Sequence, residues 1–256
     1  VSLLDRIVAA KKEEVKSLSK SKALPVQSRF GPALRRAPGS PVRVIAECKR
    51  TSPSSGRMRE DYNPEIIAKE YAALGAAALS VLTDREFFEG QDEHLALARK
   101  SGLPVLRKDF VIDERQIHQT AALQADAVLL IVRILDRHQL TDYLHVAEGL
   151  GLAALVETHN EPEIERALEC RAKIVGINHR DLDTLKMDLS LTPRLAPEIR
   201  RHHPAVVLVA ESGVESAEGL GEVEAFADAV LMGTAFMKSS SISDAWKKIF
   251  GRLKAD

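Results

Sequence analysis

A chain of 256 residues with 36 Lys+Arg against 37 Asp+Glu is nearly neutral, so no global field draws it to nucleic acid or an anionic membrane. Aromatic residues make up 4%, too few for a base-stacking platform, and the two cysteines, Cys48 and Cys170, lack metal-ligand spacing and suit a reduced cytosolic interior. No apolar stretch approaches the roughly 20 residues of a membrane span, and charges interrupt the opening Val1-Ser2-Leu3-Leu4-Asp5-Arg6 too soon for a secretory signal, so a soluble cytoplasmic protein is expected.

Ser2 caps a predicted helix running to Leu18, with Leu3, Ile7, Ala10, Glu14 and Leu18 at helical spacing. Pro25 breaks that pattern, a second short helix is predicted over Val26 to Arg36, and Pro38-Gly39-Ser40-Pro41 punctuates the chain before the first strand. From Val42 onward one event recurs: a short apolar run ends and a polar or charged residue comes next. The runs end at Glu47, Thr83, Lys108, near Val132, and at Glu157, Asn178, Glu211 and Gly233. Such near-continuous apolar runs suit strands buried on both faces, as parallel sheets require. Amphipathic stretches separate them: Pro64–Leu74, Glu93–Lys100, Glu114–Leu123, Arg137–Leu150, Glu161–Leu168, Thr192–Ile199 and Ala217–Ala225, with a last helix from about Ser241 to Leu253. Eight βα units predict an α/β fold, a closed (β/α)8 TIM barrel with an N-terminal helical extension. On that reading 1–256 is a single barrel domain and 1–41 a helical cap across one end. A doubly wound open sheet is the competing architecture, but Lys49-Arg50-Thr51-Ser52-Pro53 is unlike the Gly-x-Gly-x-x-Gly turn such a sheet usually carries.

Parallel strands bring their C-terminal ends to one rim, and that rim would gather chemistry from distant parts of the chain. Glu47 and Lys49 stand two apart at a strand end, so they share a side, as a mutual ion pair of either structural or catalytic use. The Ser52-Pro53-Ser54-Ser55-Gly56 run reads as a mobile loop over a ligand or as an ordinary turn. Lys108 precedes Phe110 by two, a lysine against an aromatic wall, suited to donate a proton or to remain a solvated strand-end charge. Glu157 offers a general base, Asn178 both a donor and an acceptor, and Arg180 a cation that can instead pair with Asp181 or Asp183. Ser212-Gly213 and Leu231-Met232-Gly233-Thr234 fall after strands seven and eight, the usual phosphate site of this fold.

The segments Ala46-Glu47-Cys48-Lys49-Arg50-x-Ser52-Pro53-Ser54, Thr83-Asp84-x-x-Phe87-Phe88-x-Gly90, Leu106-Arg107-Lys108-Asp109-Phe110, Val156-Glu157-Thr158-His159, Gly176-Ile177-Asn178-x-Arg180-Asp181-Leu182, Ala210-Glu211-Ser212-Gly213 and Gly233-Thr234 resemble the indole-3-glycerol phosphate synthase family, collinearly over nearly the whole chain. Gln91, His179 and Arg133 depart from its pattern. The resemblance implies a carboxy-lyase of tryptophan biosynthesis that needs neither metal nor organic cofactor. It converts 1-(2-carboxyphenylamino)-1-deoxyribulose 5-phosphate to indole-3-glycerol phosphate with loss of CO2 and water. By resemblance Lys108 is the general acid, Lys49 holds the substrate carboxylate, Glu157 is the partner acid/base, Glu47 fixes the lysines, Asn178 orients hydroxyls and Glu211 completes the polar ring. Ser212, Gly213, Gly233 and Thr234 take the phosphate with help from Arg180. Ser52 lines the substrate site, as does Leu231. Pro53, Phe87 or Phe88, Phe110, Leu129 and Leu182 are walls for the aromatic ring.

Two lysines in one mouth are expected to repel, lowering at least one proton affinity, with the carboxylates limiting the fall. The expected partner is a phosphorylated small molecule, with no nucleic acid or membrane, and the protein itself a monomer or weak homodimer. The nearest rival, a phosphoribosylanthranilate isomerase, needs a rim cysteine, and Cys48 has the wrong parity for the rim. A non-catalytic barrel would not need the paired lysines and glutamates.

Overall fold

The computed structural model of the chain describes residues 2–19, 24–181 and 184–251. Its centre is a closed barrel of eight parallel strands: β1 (Arg43–Cys48), β2 (Ala78–Leu82), β3 (Val105–Lys108), β4 (Ala127–Ile131), β5 (Ala153–Thr158), β6 (Ile174–Asn178), β7 (Val207–Glu211) and β8 (Ala229–Met232). Each strand pairs with its sequence neighbours, and β1 closes the ring on β8 through Ile45 opposite Leu231. The alternation of side chains explains the continuous apolar runs. Ile45, Leu106, Leu129, Leu155, Val209 and Leu231 fill the interior. Their neighbours Ala46, Val81, Val105, Val230 and Val128, Leu130, Val156, Val175, Leu208 pack outward under the helices. Both faces are therefore buried, and β-branched residues fit such pleated surfaces well.

The connecting helices start where local chemistry satisfies their first N–H groups. Asn63, Asp113, Asp136, Asn160, Ser216 and Ser241 each accept a hydrogen bond from the first turn they precede. Several expectations shift at their edges. The first helix is Leu3–Glu14, followed by a 3-10 turn Val15–Ser17. The second shrinks to Phe30–Leu34, because Val26 donates instead to the Leu150 carbonyl and enters as extended chain. The helix after β6 is longer than expected, Leu191–His202, and the last one is Ile242–Phe250, its expected end beyond 251 lying outside the described residues. The Ser52–Gly56 run forms a small antiparallel hairpin, Thr51–Ser52 with Gly56–Arg57, tied to Glu89 through Arg57 at 3.0 Å.

The segment before β1 does not lie across one end only. Lys11 of the first helix reaches Asp84 at 3.0 Å and Asp109 at 2.8 Å, beyond the C-terminal ends of β2 and β3. Phe30 and Leu34, both fully buried, join Ala78, Ile174 and Val207 and plug the opposite end of the barrel. One face of the segment thus borders the mouth while another closes the floor. No helix among the described residues is long and apolar enough to cross a membrane.

Candidate active site

Register decides what meets at the mouth. Glu47 sits level with Ser80, Leu82 with Lys108, Glu157 with Gly176, and Asn178 with Glu211. Glu47, Glu157 and Glu211 each lie two positions beyond an interior apolar residue of their strands, and Asn178 four beyond Ile174, so all share the interior parity. The result is a cavity, partly open to solvent, bordered by Glu47, Lys49, Lys108, Glu157, Asn178 and Glu211. Cys48 has the opposite parity and is buried outside the barrel beside Ala68 and Tyr71, its thiol pushed up by burial and the nearby Glu47 charge.

The charges form two linked pairs. Lys49 Nζ lies 2.6 Å from Glu47 Oε1, and Ser80 Oγ donates to Glu47 Oε2 at 3.3 Å. Lys108 Nζ donates to Glu157 Oε2 at 3.2 Å. The other oxygen, Glu157 Oε1, accepts from Asn178 Nδ2 at 3.1 Å and faces His159 Nε2 at 3.3 Å. Asn178 cannot easily rotate, since its Oδ1 accepts the Arg180 backbone N–H at 3.0 Å. Glu211 is 1% exposed and rests against the bare backbone of Gly176, where a Cβ would stand 1.8 Å from Glu211 Oε1.

These contacts set the protonation of each group. Burial pushes Glu157 up, but Lys108, His159 and Asn178 outweigh it and hold the carboxylate well below its usual range. Glu47 behaves likewise, with Lys49 and Lys108 overcoming burial. Glu211 goes the other way: burial and the Glu157 charge raise it, and its Oε1 has no hydrogen-bond partner among the described residues. For Lys108 the expected lowering of proton affinity is reversed. Burial does pull it down, yet Glu157, Glu211 and Glu47 together keep it above its ordinary value, so it is an ammonium throughout the neutral range. The neighbouring carboxylates outweigh burial.

Across the mouth, Arg180, Ser212, Gly213, Leu231, Gly233 and Thr234 border the same cavity. Ser212 and Gly213 both have left-handed backbone (φ 65° and 78°), a bend that glycine tolerates without strain. Gly233 allows close approach, since a Cβ there would meet the Glu47 Cβ at 2.8 Å. Ser52, Pro53, Phe88, Phe110 and Leu129 make the remaining wall, with the Phe88 and Phe110 rings 6.1 Å apart. Phe87 is not part of the lining: one residue along the short helix Arg85–Phe88 turns it away, under the Arg6 guanidinium at 5.9 Å. Leu182 lies outside the described residues.

The structure also brings in residues that strand-end patterns do not mark. Leu3, Leu4 and Ile7 of the first helix border the cavity, as do Ser54, Ile131 and Glu215. Lys11, 1% exposed, carries that helix's anchoring charge. Its signal was available, a lysine four residues after Ile7 on the apolar face. His159 stands behind Glu157 and was visible only as the end of a motif. Arg133, a departure from the family pattern, donates to Glu163 Oε1 at 3.2 Å.

Fold and mouth together define a barrel enzyme whose catalytic end sets two lysines and three glutamates opposite glycine-bearing turns. The family model described as indole-3-glycerol phosphate synthase matches residues 4–249, and the chain belongs to that family. Relatives named indole-3-glycerol phosphate synthase include one from Chloroherpeton thalassium, 42% identical over 95% of this chain and 97% of its own length. Another, from Acidithiobacillus ferrooxidans, is 46% identical over 84% of this chain and 81% of its own length. Among solved structures, a thiamine phosphate pyrophosphorylase from Pyrococcus furiosus superposes with TM-score 0.60 at 15% identity, covering 83% of this chain and 96% of its own, a likeness of fold alone.

Proposed function

We propose that this mouth closes the indole ring of 1-(2-carboxyphenylamino)-1-deoxyribulose 5-phosphate, releasing CO2 and water to leave indole-3-glycerol phosphate. The observation that carries the assignment of roles is the placement of Lys108 within 3.2 Å of an ionised Glu157, in the same cavity as the Lys49–Glu47 pair. Ring closure joins the aromatic carbon bearing the carboxylate to the ketose carbonyl carbon. The carbonyl oxygen gains charge as that bond forms and takes a proton from the Lys108 ammonium. Lys49 holds the carboxylate until it leaves as CO2, and Glu47 keeps Lys49 aimed. Dehydration then follows: Glu157 accepts the proton lost from the ring carbon beside the nitrogen and returns it to the departing hydroxyl, which leaves as water. Asn178 orients substrate hydroxyls, and Glu211, the most proton-retaining carboxyl, completes the ring of polar groups.

The phosphate is assigned to the Ser212–Gly213 and Gly233–Thr234 turns, with Arg180 beside them. A dianion held there supplies binding energy remote from the reacting atoms, which can hold the substrate bent for attack. Phe88, Phe110, Pro53, Leu129 and Leu231 would flank the aromatic ring. Incubation with this substrate should generate indole absorbance, while phosphoribosylanthranilate should be left unchanged. Substituting Lys49 and Lys108 separately and following turnover across pH assigns their roles. Binding of a phosphate analogue without any turnover would overturn the proposal in favour of a non-catalytic barrel.

A further inference from the structure

Behind Glu157, away from the cavity, the charges continue in an alternating row. His159 Nε2 faces Glu157 Oε1 at 3.3 Å, and His159 Nδ1 faces Glu163 Oε2 at 3.0 Å. That same Glu163 oxygen accepts the His159 backbone N–H at 2.8 Å, while its Oε1 accepts from Arg133 Nε and Asn160 Nδ2, each at 3.2 Å. Glu163 sits in the first turn of the helix Glu161–Glu169, where its own N–H is capped by Asn160, so its place is set by the backbone. The His159 side chain is 1% exposed.

A neutral imidazole carries only one N–H and presents a lone pair at its other nitrogen. Here both nitrogens stand within 3.3 Å of carboxylate oxygens, Nδ1 hydrogen-bonded to Glu163 Oε2 and Nε2 close to Glu157 Oε1 but off hydrogen-bond geometry, so a neutral ring would leave two buried carboxylates beside an uncharged group. A ring protonated at both nitrogens sets its positive charge beside both carboxylates. We infer that His159 is a positioning residue for Glu157, a buried imidazolium clamped between Glu157 and Glu163 and backed by Arg133. Asn178 hydrogen-bonds Glu157 Oε1 and the ring charge stands 3.3 Å from that same oxygen, so Oε2 is the oxygen that faces Lys108. Without that cation Glu157 would lose one of the charges that keep it ionised, and the Lys108 contact would no longer be confined to one oxygen.

The groups facing this row from other elements are Lys108 on β3, Arg133 after β4, Asn178 on β6 and Glu211 on β7; Glu163 and Asn160 belong to its own βα connection. Lys108 and Arg133 oppose the cation, and Glu157 and Glu163 favour it. The balance agrees with the inference: burial alone would lower the ring, but Glu157 and Glu163 raise it to about 9. Arg133 and Glu163 do not border the cavity, so they act on the chemistry only through the ring.

The inference rests on Glu157 acting in the reaction as proposed, and its test separates the two. Histidine-labelled protein is titrated by NMR from pH 5 to 10, and kcat and KM are measured across the same range for the native chain and Glu163→Gln. In the native chain the His159 ring should stay protonated until near pH 9. In Glu163→Gln its titration and the alkaline limb of kcat should both move down by about one pH unit, making the variant roughly tenfold slower on that limb, with KM within about twofold. A His159 ring already neutral at pH 7 in the native chain would overturn the clamp. So would a Glu163→Gln variant that melts earlier but keeps the native pH profile. Should Glu157→Gln remain fully active while His159 of the native chain titrates near pH 9, the clamp stands and the catalytic role of Glu157 falls.

Discussion

Lys108→Met removes one half of the pair that the proposed chemistry needs most. The ammonium stands 3.2 Å from Glu157 Oε2, with side chains 18% and 2% exposed, so the substitution leaves a buried carboxylate with one oxygen unmatched. Breaking such a pair from one side costs about 3–5 kcal/mol. Asn178 and His159 still hold the other oxygen, which places the expected loss at the lower end, about 3 kcal/mol. For a domain of this size each kcal/mol lowers Tm by roughly 2–4 °C, a shift readily seen in a thermal melt. Removing a general acid typically slows a reaction by about 10²–10⁴, so indole formation should fall to roughly 1% or less. The double variant Lys108→Met/Glu157→Gln removes both charges together. It should recover most of the lost Tm, because the uncompensated anion is gone, and recover none of the rate. Retention of more than a few per cent of native kcat in Lys108→Met would refute the acid role. A double variant as unstable as the single one would refute the pairing argument.

Gly176→Ala places a Cβ 1.8 Å from Glu211 Oε1 and 2.9 Å from its Cδ, so Glu211 must leave its seat. Turnover should fall by about 10², and an unchanged kcat would remove Glu211 from the working site. Gly233→Ala meets the Glu47 Cβ at 2.8 Å and should lower kcat by displacing the Lys49 partner. Gly233→Glu should raise KM as well, because a carboxylate would face the phosphate; an unchanged KM moves the phosphate site elsewhere. Lys11→Met strips the cation from Asp84 and Asp109 and should cost about 3–5 kcal/mol. Burial pushes the Asp109 carboxyl up, but Arg107 and Lys11 hold it below its ordinary 3.8. Its stabilising contribution is therefore full above that value and lost as pH falls through the lower folded-state value. Acid-unfolding curves should show the Lys11→Met midpoint at higher pH than the native one; coincident midpoints would count against the ion network.

The strand ends were legible because a strand's side chains alternate with period two. Once Ile45, Leu106, Leu155 and Val209 are taken as interior, Glu47, Lys108, Glu157 and Glu211 must point the same way. The same counting sends Cys48 outward. Helix existence was legible from apolar spacing, while helix ends depended on contacts that spacing does not contain, such as Val26 on the Leu150 carbonyl. The hairpin after β1 went unread because Ser-Pro-Ser-Ser-Gly serves many turns equally. Phe87 and Phe88 are neighbours with the same chemistry, and only the rotation of a four-residue helix separates the wall from the Arg6 contact.

Local patterning, acting through covalent geometry and the burial of apolar runs on two faces, settled the barrel and the set of side chains at its mouth. It could not settle which charged group holds which. Lys11 lies 73 residues from Asp84 and 98 from Asp109 (84 − 11 and 109 − 11). Lys108 finds Glu157 across 49 residues. Such pairings depend on distance in space and on the dielectric around each group. That is why Lys108 gains proton affinity where repulsion between lysines suggested a loss, and why Glu211 is pushed up while Glu157 is held down. Proton affinities belong to the folded arrangement of the charges, since no single strand end carries its neighbours with it.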